Sequence, residues 1–183
     1  MLGQTSIFSV KTGKLKNRVQ IKPVELWQAR YMLQTFHYLQ RTRTGRQINY
    51  AVIIDGVVDG VITYAYPMMS ADLNGVPSDE MLEFARLYLH QNIPHSASCA
   101  IGKSLRVIKK DWALKFPDAK PVRMIVSWSD TTRHSGTVYK ASNFQWFKKS
   151  YGASHGNKPD SKRGARMQHG DYVNDKDCWI YKL

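Results

Sequence analysis

The stretch INYAVIIDGVVDGVITYAY, near residues 48–66, limits the fold more than any other part of the chain. Two runs rich in β-branched and aromatic residues flank Asp55-Gly56. That dipeptide accepts the two consecutive positive-φ residues of a tight hairpin turn. The pattern predicts antiparallel strands over 48–54 and 57–66. A third run, MLEFARLYL at 81–89, alternates as a strand does: Met81, Glu83, Ala85, Leu87 and Leu89 face one way, Leu82, Phe84, Arg86 and Tyr88 the other. Glu83 and Arg86 therefore should not pair with each other.

The remaining elements are set by punctuation and periodicity. Residues 1–17 read as a basic, irregular start, leading to a short strand at Arg18–Lys22. Pro23 suits the first turn of a helix. Val24, Trp27, Tyr31 and Phe36 recur at nearly helical spacing and predict an amphipathic helix over 24–38. Asn74-Gly75 and Pro77 mark a loop. A helix from about Ser98 to Phe116 carries the apolar stripe Ile101, Leu105, Ile108, Trp112 and Phe116, and Pro117 stops it. VRMIVSW reads as an interior strand, SGTVYKASN as a short helix and FQWFKKSYG as a strand. Residues 152–176 read as a long basic loop, and CWIYKL as a last strand. The order predicts one α/β (α+β) domain over 1–183, a central mixed, mostly antiparallel sheet with helices on both faces.

Charge narrows the partners. Lysine and arginine number 27 against 14 acids, a net charge of +13. A fold does not need this excess, and self-repulsion opposes it; a polyanion, commonly nucleic acid, is the partner that accounts for it. The 43% apolar content excludes a disordered chain. No run is long enough for a membrane span, and the start has no apolar signal core. Cys99 and Cys178 make neither a disulfide framework nor a zinc site. A cytoplasmic setting is the expectation.

Gly102-Lys103-Ser104 closes an eight-residue stretch that would be a nucleotide-binding P-loop if Ala97 were glycine. The hairpin upstream argues against that fold. Meander order leading into a long helix instead resembles the GNAT acyltransferases. Their cofactor loop, roughly R/Q-x-x-G-x-G/A, lines up with Ala97-Ser98-Cys99-Ala100-Ile101-Gly102, departing from it at Ala97 and Ala100. The resemblance implies that backbone N–H groups and the positive helix end hold the pyrophosphate of coenzyme A. Arg86, Leu87, Leu89, Ser98, Cys99, Ala100, Ile101, Gly102, Lys103 and Ser104 form the implied cofactor set. The plainer reading is that Ser98 only caps a core helix. This stretch alone leaves the two even.

Four blocks, TFHYLQRT, LEFARLYL, SCAIGKSLRVIKKDW and VSWSDTTRHSGTVYKASNFQWFKKSYG, together resemble the phage Mom family of DNA-modification proteins and cover most of residues 35–152 in order. The resemblance implies a GNAT-like enzyme that converts adenine N6 in double-stranded DNA to a carbamoylmethyl (acetamido) derivative, shielding phage DNA from host restriction. It implies acetyl-CoA as donor and an association with iron. The family's important residues fall on His37, Tyr38, Asp130 and Tyr139. His37, Tyr38 and Asp130 are the implied iron ligands. From the residues themselves, His37 has a suitable pKa for moving a proton, and Tyr38 and Tyr139 suit hydrogen-bond donation or stacking. Asp130 lies just past a buried strand, where sites form. Asp130 as a turn cap, Tyr139 as core and His134 as a plain surface residue stay open.

Two basic runs are candidates for the DNA surface, with Arg41, Arg43 and Arg46 in one and Lys148, Lys149, Lys162, Arg163 and Arg166 in the other. Because adenine N6 is engaged in pairing, the base is expected to flip into a pocket, with Tyr38, Trp128 or Tyr139 available to stack on it. Alternative readings are a GNAT-fold N-acetyltransferase on protein or small amines, and a non-catalytic nucleic-acid-binding protein. A homodimer is compatible with all of these.

Overall fold

Asp55 and Gly56 take φ values of 55° and 84°, the two left-handed residues a tight turn requires. They fold strand β2 (Gln47–Ile54) against β3 (Val57–Ala65) in antiparallel register. These come from a computed structural model that describes residues 13–68, 71–91, 93–151 and 174–183. In chain order the elements are α1 (Leu15–Arg18), β1 (Val19–Val24), α2 (Leu26–Phe36), β2, β3, a 3-10 turn at Ser78–Glu80, β4 (Met81–Leu89), α3 (Ser96–Lys115), β5 (Met124–Asp130), α4 (Thr137–Ala141), β6 (Gln145–Ser150) and β7 (Lys176–Lys182). One sheet runs β1-β2-β3-β4-β5-β7-β6, antiparallel throughout except for the β4–β5 pair. The mixed, mostly antiparallel sheet with helices on both faces is the architecture expected from the sequence.

On one face α3 presents Ile101, Leu105, Ile108 and Trp112 to Tyr50, Ile62, Tyr64 and Leu82. This is the stripe read from the sequence, except that Phe116 has become the helix cap. Two polar ties fix the helix on the sheet: Tyr64 Oη lies 2.7 Å from Ser104 Oγ, and Tyr50 Oη donates to Asp111 at 2.8 Å. On the other face α2 sets Ala29 and Leu33 against Val61. Leu73 and Val76, from the loop before β4, cover Met81, Met124, Val126 and Cys178.

Several expectations need correcting. Pro23 lies in β1, not in a helix; β1 is an edge strand, where a missing N–H costs no ladder bond. Residues 15–18, expected to be irregular, form a helical turn. The apolar stripe proposed for α2 faces outward: Trp27, Tyr31 and Phe36 are exposed, and Ala29 and Leu33 carry the packing. The last strand, expected from CWIYKL, forms and sits between β5 and β6. Most of the two basic segments at 1–17 and 152–176 lies outside the described residues. Among the described residues, no helix is long and apolar enough to cross a membrane.

Gly60 marks the tightest approach in the sheet. A Cβ there would fall inside contact distance of the Tyr88 carbonyl oxygen and against Leu89, so β3 and β4 would have to move apart. Gly60→Ala is therefore expected to lower stability by about 1–3 kcal/mol or more, read as a reduced urea midpoint.

Candidate active site

The site forms where β4 and β5 separate. Their parallel ladder covers only Met81–Glu83 against Met124–Val126. The next carbonyl of β4, Phe84 O, is taken by a side chain, Ser127 Oγ, at 2.8 Å. One residue later the register of β3 against β4 slips so that Ala85 is extra, a bulge. Beyond it Leu87 and Leu89 pack on the α3 face and Tyr88 on the α2 face. The two strands thus diverge beyond their three paired residues, leaving a gap.

Tyr139 enters the gap from the α3 face. Gly136, at φ 77°, turns the chain into α4 so close to the Trp179 ring that no Cβ fits, and Tyr139 stacks on Trp179 with centroids 5.3 Å apart. The Tyr139 phenol lies 3.1 Å from Ser127 Oγ. Ser127 Oγ is the donor placed against both acceptors, the Phe84 carbonyl and the phenol oxygen, so the Tyr139 proton is not spent on Ser127. Burial pushes the Tyr139 pKa up to about 12; the Ser127 contact opposes this, while nearby Tyr38 and Glu83 add to it. The phenol keeps its proton at neutral pH.

His37 and Tyr38 approach from the other face, at the end of α2. Their rings stack at 4.5 Å. The Arg133 guanidinium sits 4.7 Å from the Tyr38 ring centroid, and His134 lies 6.1 Å from it. The loop after β5 therefore meets a pair nearly a hundred positions upstream. His37 is buried and its Nδ1 accepts the Leu39 N–H at 3.1 Å, so a neutral His37 ring carries its proton on Nε2. Asp130 accepts from Thr132 N at 2.9 Å, Thr132 Oγ1 at 2.6 Å and Asn174 Nδ2 at 2.8 Å. Burial works to raise its pKa, but these hydrogen bonds and the Arg133 charge outweigh it and hold the carboxyl below its ordinary value. Desolvation, joined by Arg133, keeps the His134 imidazole below its ordinary value against the pull of Asp130. Arg133, Ser127 and Asn174 were not singled out in the sequence, and His134 figured there only as a plain surface residue. Only their position beside Asp130 and Tyr139 in the fold gives them a role.

The cofactor set divides. α3 begins at Ser96, two residues before the expected start, and Cys99 N already donates to His95 O. The N–H groups from Cys99 to Ser104 thus belong to the helix, leaving Ala97 and Ser98 with no intrahelical acceptor. Ala100, Ile101 and Ser104 are core, and Ser104 is spent on Tyr64 and the Ile101 carbonyl; these three are corrected from cofactor to packing residues. Ser98, Cys99, Gly102 and Lys103 line a cavity of about 520 Å³ together with Lys16, Arg106, Ser142, Asn143 and Tyr181. Ser98 does not cap the helix; its hydroxyl donates back to His95 O. The entry loop is tied down by Asp59, whose carbonyl accepts from His90 N and whose carboxylate accepts from Gln91 N. Arg86 donates to the Ala85 and Arg41 carbonyls. Three cations over an open helix start fit a phosphate-bearing cofactor.

Iron finds less support. Among the described residues no three His, Cys, Asp or Glu side chains form a metal-binding group. His37 Nδ1 and both Asp130 oxygens are already hydrogen-bonded within the fold. The set His37, Tyr38 and Asp130 does not fit a metal centre.

Of the cations proposed for DNA, Arg41, Arg46, Lys148 and Lys149 are on the surface. Arg46 pairs with Asp118 and Lys149 with Asp175. Arg43 is corrected: it is buried, bonded to Glu83 Oε2 at 2.8 Å and to the Tyr66 carbonyl at 2.9 Å. Lys162, Arg163 and Arg166 lie outside the described residues.

A family model described as the Mom protein family matches residues 18–178. The chain belongs to the Mom protein family. This Mom-family chain is also similar in structure to GNAT acetyltransferases. A spermidine N-acetyltransferase from Vibrio cholerae, solved with CoA and spermine, superposes with a TM-score of 0.55 at 9% identity, over 91% of this chain and 96% of that one. A Bacillus subtilis acetyltransferase solved with CoA gives 0.53 at 11% identity, over 91% and 98%. A ribosomal L7/L12 α-N-protein acetyltransferase gives 0.51 at 12% identity, over 93% and 96%. At these identities the likeness establishes the fold, GNAT-like as the sequence implied. No curated protein sequence matches the chain.

Both shifted groups beside Tyr38 set a direction with pH. Asp130 and His134 have folded pKa values below their ordinary 3.8 and 6.5. Each stabilises the fold above its ordinary value, and that contribution is lost as pH falls through the folded value. His134→Gln should therefore flatten the fall in thermal midpoint between about pH 6.5 and the carboxylate range, and Asp130→Asn should flatten only the more acid limb.

Proposed function

We propose that this Mom-family chain is an acetyl-CoA-dependent transferase that modifies adenine N6 in double-stranded DNA, giving the carbamoylmethyl derivative the family resemblance implies. The observation that carries this reading is the meeting, at the parting of β4 and β5, of the Tyr139 phenol with His37-Tyr38 and the Asp130 loop. The net charge of +13 supports a polyanionic partner.

Bound acetyl-CoA would supply the two-carbon unit as an activated thioester. Ala97 and Ser98 N–H, Lys103, Arg106 and Lys16 are the groups that would hold its phosphates. Tyr139, protonated and anchored on Ser127, can donate a hydrogen bond or a proton at the gap. On the acceptor side, His37 stacks on the Tyr38 ring and Arg133 lies over it, which holds this half-exposed side chain at the site. Asp130 is too well hydrogen-bonded to serve as a base near neutrality, and suits accepting a hydrogen bond from an amine. His134 stays neutral at pH 7 and has a lone pair available for the proton that N6 must lose. Acetyl transfer alone would join N6 to the thioester carbonyl as an acetyl amide. The carbamoylmethyl group joins N6 through the methyl carbon and carries a further nitrogen. The full reaction therefore also consumes an ammonia-level nitrogen donor and a two-electron oxidant, releasing free CoA, and the residues named here account for binding, orientation and proton movement only.

Nucleosides from DNA of cells expressing the chain are expected to contain the carbamoylmethyl deoxyadenosine. Asp130→Ala, His37→Ala and Tyr139→Phe should each lower its yield about 100-fold or more. Unmodified DNA alongside acetylated amines would return the chain to the coarser acyltransferase class. Independently, Lys103→Glu/Arg106→Glu should weaken acetyl-CoA binding about tenfold or more, measured by calorimetry, with the thermal midpoint of the free protein little changed.

A further inference from the structure

Helix α2 is amphipathic in the reverse of the usual sense. It buries Ala29 and Leu33, two modest side chains, while Trp27, Tyr31 and Phe36 stand 70%, 64% and 49% exposed. A helix selected only to pack would bury its rings. Trp27 and Tyr31 lie one turn apart and project about half a turn away from Ala29 and Leu33. The rings continue beyond the helix: Phe36 meets the Tyr31 edge at 6.4 Å and stacks on Tyr88 at 5.7 Å. The exposed cations Lys22 and Arg30 flank the helix, against one acid at its start, Glu25, whose carboxylate accepts the N3 backbone N–H while its own N–H donates to Gln28. The ridge ends at Phe36, next to His37-Tyr38 at the site.

We propose that this ridge docks an unpaired nucleic-acid strand, with bases stacking on Trp27 and Tyr31 while Lys22 and Arg30 meet phosphates. The proposal rests on the DNA reading above and adds that the duplex is opened at the site, the target adenine turning toward Tyr38 and a neighbouring unpaired stretch lying along α2. Intact duplex hides its base faces, so exposed rings would gain little from it; unpaired bases present them, and each stacked base is worth about 1–3 kcal/mol. A second copy of this chain would bring like charge against like. An acidic protein would also bury these rings; a ridge built for one would not distinguish a bubbled from a paired duplex, which is the comparison the test makes.

The test compares binding of a fully paired duplex with binding of the same duplex carrying a central unpaired bubble, by fluorescence anisotropy. The proteins are the full chain, Trp27→Ala/Tyr31→Ala and Trp27→Phe/Tyr31→Phe. All three are also tested by sedimentation and for adenine modification. The full chain is expected to prefer the bubble. The alanine pair should lose that preference, its bubble affinity falling about tenfold or more while duplex affinity holds within about twofold; the phenylalanine pair should keep it. Equal bubble and duplex binding by the full chain, or an alanine pair that still prefers the bubble, overturns the proposal. So does an alanine pair that turns a dimer into monomers with nucleic-acid binding unchanged, which would make the ridge a self-association face. If the full chain modifies adenine but the alanine pair behaves identically, the ridge assignment alone falls. If the full chain neither binds nor modifies DNA, the function proposed above falls and takes this one with it.

Discussion

The structure turns on a ladder that stops early. β4 and β5 are the one parallel pair of the described sheet, and they stay together for three residue pairs. Stopping a ladder inside a sheet leaves backbone groups without partners, at about 1–3 kcal/mol for each one buried. Ser127 offsets the first of these by bonding Phe84 O, and the bulge at Ala85 re-aims the rest of β4. The gap is therefore held open by specific bonds. Tyr139, from α4, completes the chain of bonds on one side, and Tyr38, from the end of α2, stands within electrostatic reach on the other. Removing the Ser127 hydroxyl would affect both the strand geometry and the proton held by Tyr139.

On the acceptor side the chain from Leu39 to Arg46 lies across β4 as a strap. Arg86 holds the Arg41 carbonyl and Glu83 holds Arg43. The Arg43–Glu83 pair is almost fully buried, and deleting one member would strand the other charge at a cost of about 3–5 kcal/mol. This explains why RTRTGR is not uniformly a surface run. Part of it is structural, as are Arg18 with Asp55 and Arg46 with Asp118. Pairing leaves the electrostatic argument intact, because each ion pair consumes one charge of each sign and the excess of +13 stays unmatched.

The fold was largely legible because its signals are local. Asp55-Gly56 fixed a hairpin, the stripe on α3 fixed the central helix, and Pro117 closed it. What failed depended on tertiary context. Pro23 could sit in β1 only because β1 is an edge. The placement of β7 between β5 and β6 is set by long-range pairing that no window of sequence contains. The resemblance drew attention to His37, Tyr38, Asp130 and Tyr139, while the residues the fold sets beside them, Ser127, Arg133, His134 and Asn174, are ordinary polar residues until folding brings them together. The start of α3 lies two residues earlier than its pattern suggested, for a physical reason. Small residues suit both a backbone cradle and a helix packed closely on a sheet, and Ala100 and Ser104 do the second.

Helix α2 shows where periodicity reasoning ends. A helical pattern states that two faces differ; it does not state which face is inside. Both Trp27 with Tyr31 and Ala29 with Leu33 satisfy i, i+4 spacing, and hydrophobicity favours burying the rings. In the fold it is Ala29 and Leu33 that pack on Val61 of β3. Exposing large rings forfeits the roughly 1.5–3 kcal/mol that burying such a side chain brings. The same residues that misled the burial prediction are, for that reason, the ones that point to a partner.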